Sequence, residues 1–164
     1  MAWSKNMIVE EKLDKKIAAI FGSGRKKAGG KKDLTYSEFL SNKMMIIKLI
    51  RAGVPYSLFA LIQATAPFTE SDWAEFLNVS TKTLERHKKN AKQFKPLQSE
   101  KIIEMAEVTD LGTDVFGSSE KFKLWLETPN FALGKMKPIE LLKDSYGKEM
   151  VMGELTRINH GILV

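Results

Sequence analysis

Apolar residues recur at helical spacing through most of this chain, and this pattern limits its fold more than any other feature. Between Tyr36 and Arg51 they return every three or four positions, as they do on one face of a helix. Pro55 then opens a second apolar segment, at the helix position where a missing N–H costs nothing. The sequence shows no strand-like alternation of useful length. We therefore predict an all-α fold.

Glycine, proline and capping residues divide the apolar pattern into separate helices. A glycine-bounded connection is expected at 112–117, and the residue before Pro129 should end the helix that Ser118-Ser119 caps. The predicted helices are 6–21, 36–51, one from Pro55, about 70–77, 81–92 and 98–110, one from Ser118 to Thr128, 138–142 and about 147–159. The surplus apolar residues of 36–51 make that helix a candidate dimer contact.

The segment 22–32 combines four glycines with five cations and has too little apolar surface to build a core. A phosphate-binding loop is excluded, because Arg25 stands where its first glycine belongs and Lys32 where Ser or Thr belongs. We predict a mobile basic arm that adds non-specific affinity for phosphate.

Composition excludes several classes of protein. The 164 residues include no Cys, which excludes disulfides, thiolate zinc sites and cysteine nucleophiles. The two histidines, His87 and His160, lack metal-ligand spacing, and no nucleotide-binding fingerprint or nucleophile elbow is present. We expect no cofactor, no metal and no enzymatic activity. With no apolar run long enough for a bilayer and no signal peptide, a cytoplasmic protein without a membrane partner is expected.

The net charge of +6 is unevenly placed along the chain. Residues 1–33 carry +5, residues 34–96 carry +4, and residues 97–164 carry −3. This division suggests that the basic part, residues 1–96, binds a polyanion and that the acidic part, residues 97–164, binds a different partner.

The segment from Glu70 to Lys89 has the chemistry of a helix-turn-helix. Ala74 is the small residue required where the two helices meet, and Asn78 tolerates the positive φ of the turn. Ser80 is a good N-cap for the second helix. Apolar residues that would hold the two helices together follow at the expected positions: Trp73, Leu77, Val79 and Leu84.

In a helix-turn-helix, the start of the second helix faces the major groove of DNA. Thr81, Lys82 and Arg86 would then point at the groove, with Thr83 near a phosphate. The predicted DNA-binding residues are Ser80, Thr81, Lys82, Thr83, Arg86, Lys88 and Lys89. The alternative is a pair of ordinary amphipathic helices with a solvated basic face.

The C-terminal third forms a small helical module with Phe122, Trp125 and Leu126 on one helix face. Its last residues, Ile162-Leu163-Val164, are apolar. This end would either dock on a partner or fold back onto its own core.

Within this module the segment 122–134 resembles the signature W-L-x-x-P-N-x-A-L-G-G of Xre/MbcA/ParS-type antitoxins. It reads Phe-Lys-Leu-Trp-Leu-Glu-Thr-Pro-Asn-Phe-Ala-Leu-Gly, and Lys135 replaces the second glycine of the usual pair. Residues 138–142 and 155–161 are similar to the continuation of the signature. In that family a helix-turn-helix precedes the toxin-binding domain, which is the order found here.

The resemblance implies an antitoxin of a RES–Xre operon. Its partner would be a RES-domain toxin that degrades NAD, whose NAD pocket the C-terminal domain obstructs. The helix-turn-helix would bind operator DNA and repress the operon, with homodimers and larger assemblies with toxin expected. The toxin-binding residues implied are Trp125, Asn130, Arg157, Asn159, His160, Gly161, Ile162, Leu163 and Val164.

We accordingly divide the chain into an N-terminal helix with its basic linker (1–33), a helix-turn-helix domain (34–112) and a toxin-binding domain (113–164). Arg157 would meet an anionic NAD-phosphate site, or would simply pair with Glu154. Two alternatives stay open: a solitary transcriptional regulator whose C-terminal module only dimerises, and a scaffold that recruits a polar or chromosome-partitioning protein.

Overall fold

A computed structural model describes residues 2–22 and 33–161 of the chain. Except for Gly22, the predicted basic arm lies outside the described residues, as does the apolar tail 162–164. The described ranges contain helices and connecting turns but no strand, which confirms the all-α prediction. The helices are α1 (Ala2–Phe21), α2 (Tyr36–Leu40), α3 (Lys43–Ala52), α4 (Tyr56–Thr65), α5 (Glu70–Phe76), α6 (Thr81–Asn90), α7 (Pro96–Phe116), α8 (Ser119–Glu127), α9 (Pro138–Leu141) and α10 (Ser145–Asn159), with a 3₁₀ turn at Phe131–Leu133.

The N-terminal helix α1 packs against α2 and α4. Leu13 and Ile17 bury their side chains completely, because they lie four residues apart on the inner face of the helix. The backbone N–H of Tyr36 donates to a carboxylate oxygen of Asp14 at 2.7 Å, which ties the start of α2 to α1.

The prediction of one helix over 36–51 is wrong, because the chain breaks at Ser41-Asn42 into α2 and α3. The side chain of Asn42 accepts the backbone N–H of Met45 at 3.2 Å and so caps a new helix. An asparagine side chain competes with the backbone for such hydrogen bonds, which favours a helix start over a helix interior. On α3, Met44 stays 60% exposed and Ile47 40% exposed.

The central helix is α7, which packs against α3, α8 and α10. The expected connection at 112–117 is wrong, since α7 continues through Gly112 to Phe116 and ends at Gly117 with φ 74°. Gly112 is buried against the ring of Phe122, where a Cβ would clash, so this glycine permits close packing. The predicted domain boundary at 112–113 therefore falls inside a helix, and the division into domains stays a prediction.

Aromatic rings fill the core beneath α4 and α5. Phe59 and Trp73 meet edge to face, with 5.1 Å between ring centroids and 87° between planes. Phe68 meets both Trp73 and Phe76 in the same way. Such contacts between rings fix the orientation of α5, the first helix of the predicted helix-turn-helix. Among the helices described, none is long and apolar enough to cross a membrane.

Candidate functional site

Helices α5 and α6 and the turn between them have the geometry predicted for a helix-turn-helix. Asn78 adopts φ 52°, the left-handed conformation that the turn requires. The N–H of Val79 donates to the carbonyl of Ala74 at 3.0 Å, closing the turn. Ser80 caps α6, since its Oγ accepts the N–H of Thr83 at 3.1 Å. These local predictions are confirmed.

The apolar residues predicted to hold the helix pair together form its core. Trp73, Leu77 and Leu84 are buried, and Val79 is half-buried. On α6 Leu84 is buried and Thr83 and His87 are half-buried, so the other side chains of this helix are available to a partner.

The predicted DNA-binding residues share the outer face of α6. Ser80, Thr81, Lys82, Arg86, Lys88 and Lys89 are exposed, whereas Thr83 is half-buried. The hydroxyl of Thr83 lies 3.0 Å from that of Ser80, so it contributes to the cap of the helix. Within the described residues, none of the four cations of this group forms an ion pair, and their charge is therefore uncompensated. Their role in DNA binding stays a prediction.

The side chain of His87, in the last turn of α6, packs against neighbouring residues. Its Nδ1 lies 3.1 Å from the carbonyl of Thr83. Its ring is stacked on that of Phe94, with centroids 4.9 Å apart and 9° between planes. The pattern of α6 alone could not identify this contact, because Phe94 lies in the loop that follows the helix.

A buried hydrogen-bond network, which the sequence does not predict, holds this loop. The N–H of Val54 donates to Ser99 Oγ at 2.8 Å, and Ser99 Oγ donates to the carbonyl of Phe94 at 3.2 Å. The N–H of Phe94 donates back to the carbonyl of Val54 at 2.9 Å. Ser99 stands between Gln98 and Glu100, so its sequence neighbours give no signal that it is buried. The network fixes the path of the chain where it leaves α6, and with it Lys92 and Lys95 at the surface.

In the C-terminal module two predicted toxin-binding residues also shape the fold. Trp125 is half-buried and lies against Phe116, with ring centroids 5.5 Å apart. Asn130 Oδ1 accepts the N–H of Ala132 at 2.8 Å, and the Asn130 N–H donates to the carbonyl of Met136 at 3.0 Å. Their contact with a toxin stays a prediction.

Lys135 stands where the resembled signature has its second glycine. It adopts φ 63°, directly after Gly134 at φ 68°. The turn therefore needs two successive left-handed residues, and the lysine accepts a conformation that favours glycine.

The remaining predicted toxin-binding residues gather at the end of α10. Arg157 pairs with Glu154, with 3.2 Å between the guanidinium and the carboxylate, which is the simpler of the two roles considered for it. Asn159, His160 and Gly161 are exposed. Ile162, Leu163 and Val164 lie outside the described residues.

Comparison with known proteins assigns both modules. The sequence model of the antitoxin Xre-like helix-turn-helix domain matches residues 45–107, and that of the antitoxin Xre/MbcA/ParS C-terminal toxin-binding domain matches residues 111–161. The chain belongs to the Xre antitoxin family.

Two curated relatives are described as antitoxin Xre. The protein from Yersinia enterocolitica is 25% identical over 123 residues, which are 74% of this chain and 83% of the relative. The protein from Photorhabdus laumondii is 26% identical over 116 residues, which are 70% of this chain and 78% of the relative. The predicted Xre-type assignment and the order of its two domains are thereby confirmed.

The two matched modules of this Xre-family chain touch each other beyond their shared helix α7. Lys143, between α9 and α10, forms an ion pair with Glu75 of α5 at 2.8 Å. Lys148 of α10 lies 3.5 Å from Glu107 of α7. The toxin-binding module is thus linked to α5 by one exposed ion pair and to the shared helix α7 by a second, less exposed one.

A cleft of about 610 Å³ opens between α1, the start of α2 and α7. Its lining includes the carboxylates of Glu10, Asp14, Asp110 and Asp114. Partial desolvation in the cleft, together with the negative charges of Asp114 and Glu10, raises the pKa of Asp110. Within 2–22 and 33–161 no cluster of side chains is arranged to hold a metal ion, and no residue of α6 or α10 lines this cleft.

Proposed function

We propose that the chain is an antitoxin that neutralises a co-encoded protein toxin and represses its own operon. The observation that carries this proposal is the match of two modules, one DNA-binding and one toxin-binding, in the order typical of such antitoxins. The exposed cations of α6 and the exposed end of α10 support one binding surface for each role. The protein would work by binding, without a catalytic step or a cofactor.

The toxin that the resemblance implies is a RES-domain protein that degrades NAD. In this proposal the end of α10, with Asn159 and His160, and the tail 162–164 obstruct its NAD pocket. Arg157 would exchange its pairing with Glu154 for an anionic group at that pocket.

Co-expression with the product of the neighbouring gene tests the toxin-binding role. Growth and cellular NAD should both fall with the toxin alone and recover with the antitoxin, and the two proteins should co-purify. A chain that lacks residues 160–164 should lose protection and keep DNA binding. Full protection by the truncated chain would refute obstruction of the pocket by this end.

The DNA-binding role requires an operator. We propose that a homodimer binds a pseudo-twofold site upstream of the operon and represses it. Met44 and Ile47, which leave apolar surface on α3 exposed, are the candidate dimer contact. When this chain is produced in the cytoplasm, the expression of a reporter gene fused to the operon promoter should fall.

The solitary regulator predicts different results from the same measurements. It would repress the reporter, but the neighbouring gene product would be harmless and would not co-purify. In that case the module at 111–161 would serve self-association, and its removal would convert a dimer into a monomer.

A further inference from the structure

Helix α10 has an apolar stripe that no residue of the described ranges 2–22 and 33–161 covers. The helix buries Gly147, Val151 and Leu155, all on one side. On another side Tyr146 is 83% exposed and Met150 is 49% exposed. Gly153 is exposed as well. These three residues are spaced by four and three, so they form one line along the helix, and Arg157 continues that line four residues later.

Gly153 is the unusual member of this stripe. Glycine in a helix interior is destabilising relative to alanine, because it loses more conformational freedom on folding. The two buried glycines of α7 and α10 have a packing reason, since a Cβ on Gly112 would meet Phe122 and one on Gly147 would meet the backbone of Leu141. A Cβ on Gly153 would meet no atom within 4 Å. Nothing within the described chain therefore requires glycine at this position.

We propose that Tyr146, Met150 and Gly153 form a docking surface for the toxin, on which a toxin backbone segment approaches Gly153 closely. This inference rests on the proposed antitoxin function. A missing side chain on a helix surface permits a partner backbone to come nearer than any other residue would. Tyr146 and Met150 would flank that contact and bury their apolar surface against the partner.

Two observations favour the toxin over a second copy of this chain as the occupant. The whole of α10 lies inside the region that matches the toxin-binding domain. The stripe is also continuous with Arg157 at the end of the helix, where the residues that would reach the toxin pocket are gathered. The contact would extend toxin binding along three turns of α10, beyond its last residues.

The test uses substitutions that leave the fold intact. Gly153→Gln places a flexible side chain where the chain has open space, and Gly153→Ala adds one methyl group. Both should raise the melting temperature of the isolated antitoxin and weaken its complex with the purified product of the neighbouring toxin gene. In calorimetric titration, we expect the affinity for this gene product to fall tenfold or more for Gly153→Gln and for Tyr146→Ala. Lys12→Ala, at an exposed position of α1 outside both matched domains, is the control and should change affinity less than twofold.

The outcomes separate this inference from the function on which it rests. If the wild-type chain does not bind the gene product, both are wrong. If the wild type binds and the Gly153 and Tyr146 variants bind equally well, the docking surface is wrong and the antitoxin function stands. If these variants instead change the sedimentation of the antitoxin alone, the stripe is a contact between copies, and the inference is also overturned.

Discussion

The imidazole ring of His87 lies parallel to the ring of Phe94, with 4.9 Å between their centroids. This contact joins α6, the second helix of the helix-turn-helix, to the loop after it. Phe94 is itself buried and bonded through its backbone to Val54 and Ser99. The position of the last turn of α6 therefore depends on a residue outside the helix-turn-helix.

Replacing Phe94 by alanine should lower the free energy of unfolding by about 3–5 kcal/mol, as is usual for a large buried ring. His87→Phe is the matched variant, because it keeps a ring on Phe94 and loses only the polar contact with Thr83. It should change the unfolding free energy by less than about 1.5 kcal/mol. Urea unfolding measures the free energy of unfolding of both variants. A small decrease for Phe94→Ala would show that the stacked rings do not hold the loop.

The cations on the outer face of α6 should control the salt dependence of operator binding. Each phosphate contact contributes about −0.9 to the slope of log affinity against log salt. The double variant Lys82→Ala/Arg86→Ala should therefore make the slope shallower by about 2 and weaken binding at every salt concentration. Lys12→Ala removes an exposed cation from α1 and serves as the control. An unchanged slope for the double variant would exclude Lys82 and Arg86 from the phosphate contacts.

Besides Asn78, two non-glycine residues in the described ranges adopt the left-handed conformation, Ala91 at φ 46° and Lys135 at φ 63°. This conformation costs an L-residue about 1–2 kcal/mol, which glycine avoids at the expense of chain entropy. Ala91→Gly and Lys135→Gly should each raise the unfolding free energy, by about 0.5–1 kcal/mol. Ala64→Gly, an exposed position inside α4, should lower it by about 1 kcal/mol. Thermal unfolding compares the stability of the three variants directly. If glycine changed the stability in the same direction at all three positions, the left-handed backbone conformation would not be the cause.

The parts of the fold that depend on local chemistry were predictable from the sequence. Asn78 in the turn and Ser80 at the cap act on neighbours within a few residues, so their roles follow from residue type and order. The continuation of α7 through Gly112 was not predictable in this way, because Phe122 of another helix fills the space beside it. The packing of His87 on Phe94 was missed for the same reason.

The sequence predicts the toxin-binding residues less well than it predicts the turn and cap residues. The signature identified Asn130, but its side chain is already engaged in its own turn. Gly153 lies outside the signature and carries no local signal, because only the structure shows that the space beside it is open. A sequence motif therefore locates the module better than it locates the surface.

The acidic cleft should make the stability of the fold depend on pH through Asp110. Its pKa in the folded chain is raised from the ordinary value of 3.8 by desolvation, and then by Asp114 and Glu10. A carboxyl with a raised pKa favours the fold while protonated, and this contribution is lost as the pH rises through the folded pKa. Asp110→Asn should therefore raise the melting temperature at pH 7, with a gain that shrinks as the pH falls toward 4. Glu127→Gln, an exposed carboxyl outside the cleft, should show no such trend, and equal behaviour of both variants would refute the role of the cleft.

The contact between Gly112 and Phe122 should make α7 intolerant of any side chain at this position. A Cβ on Gly112 would overlap the Phe122 ring, so Gly112→Ala should cost about 1–3 kcal/mol despite the better helix propensity of alanine. Adding Phe122→Leu to Gly112→Ala should recover part of the loss relative to the sum of the two single variants, because a smaller side chain makes room for the methyl group. Urea unfolding of the three variants forms the cycle. Simple additivity would mean that the two residues do not compete for space, and that the close approach of α8 to α7 has another cause.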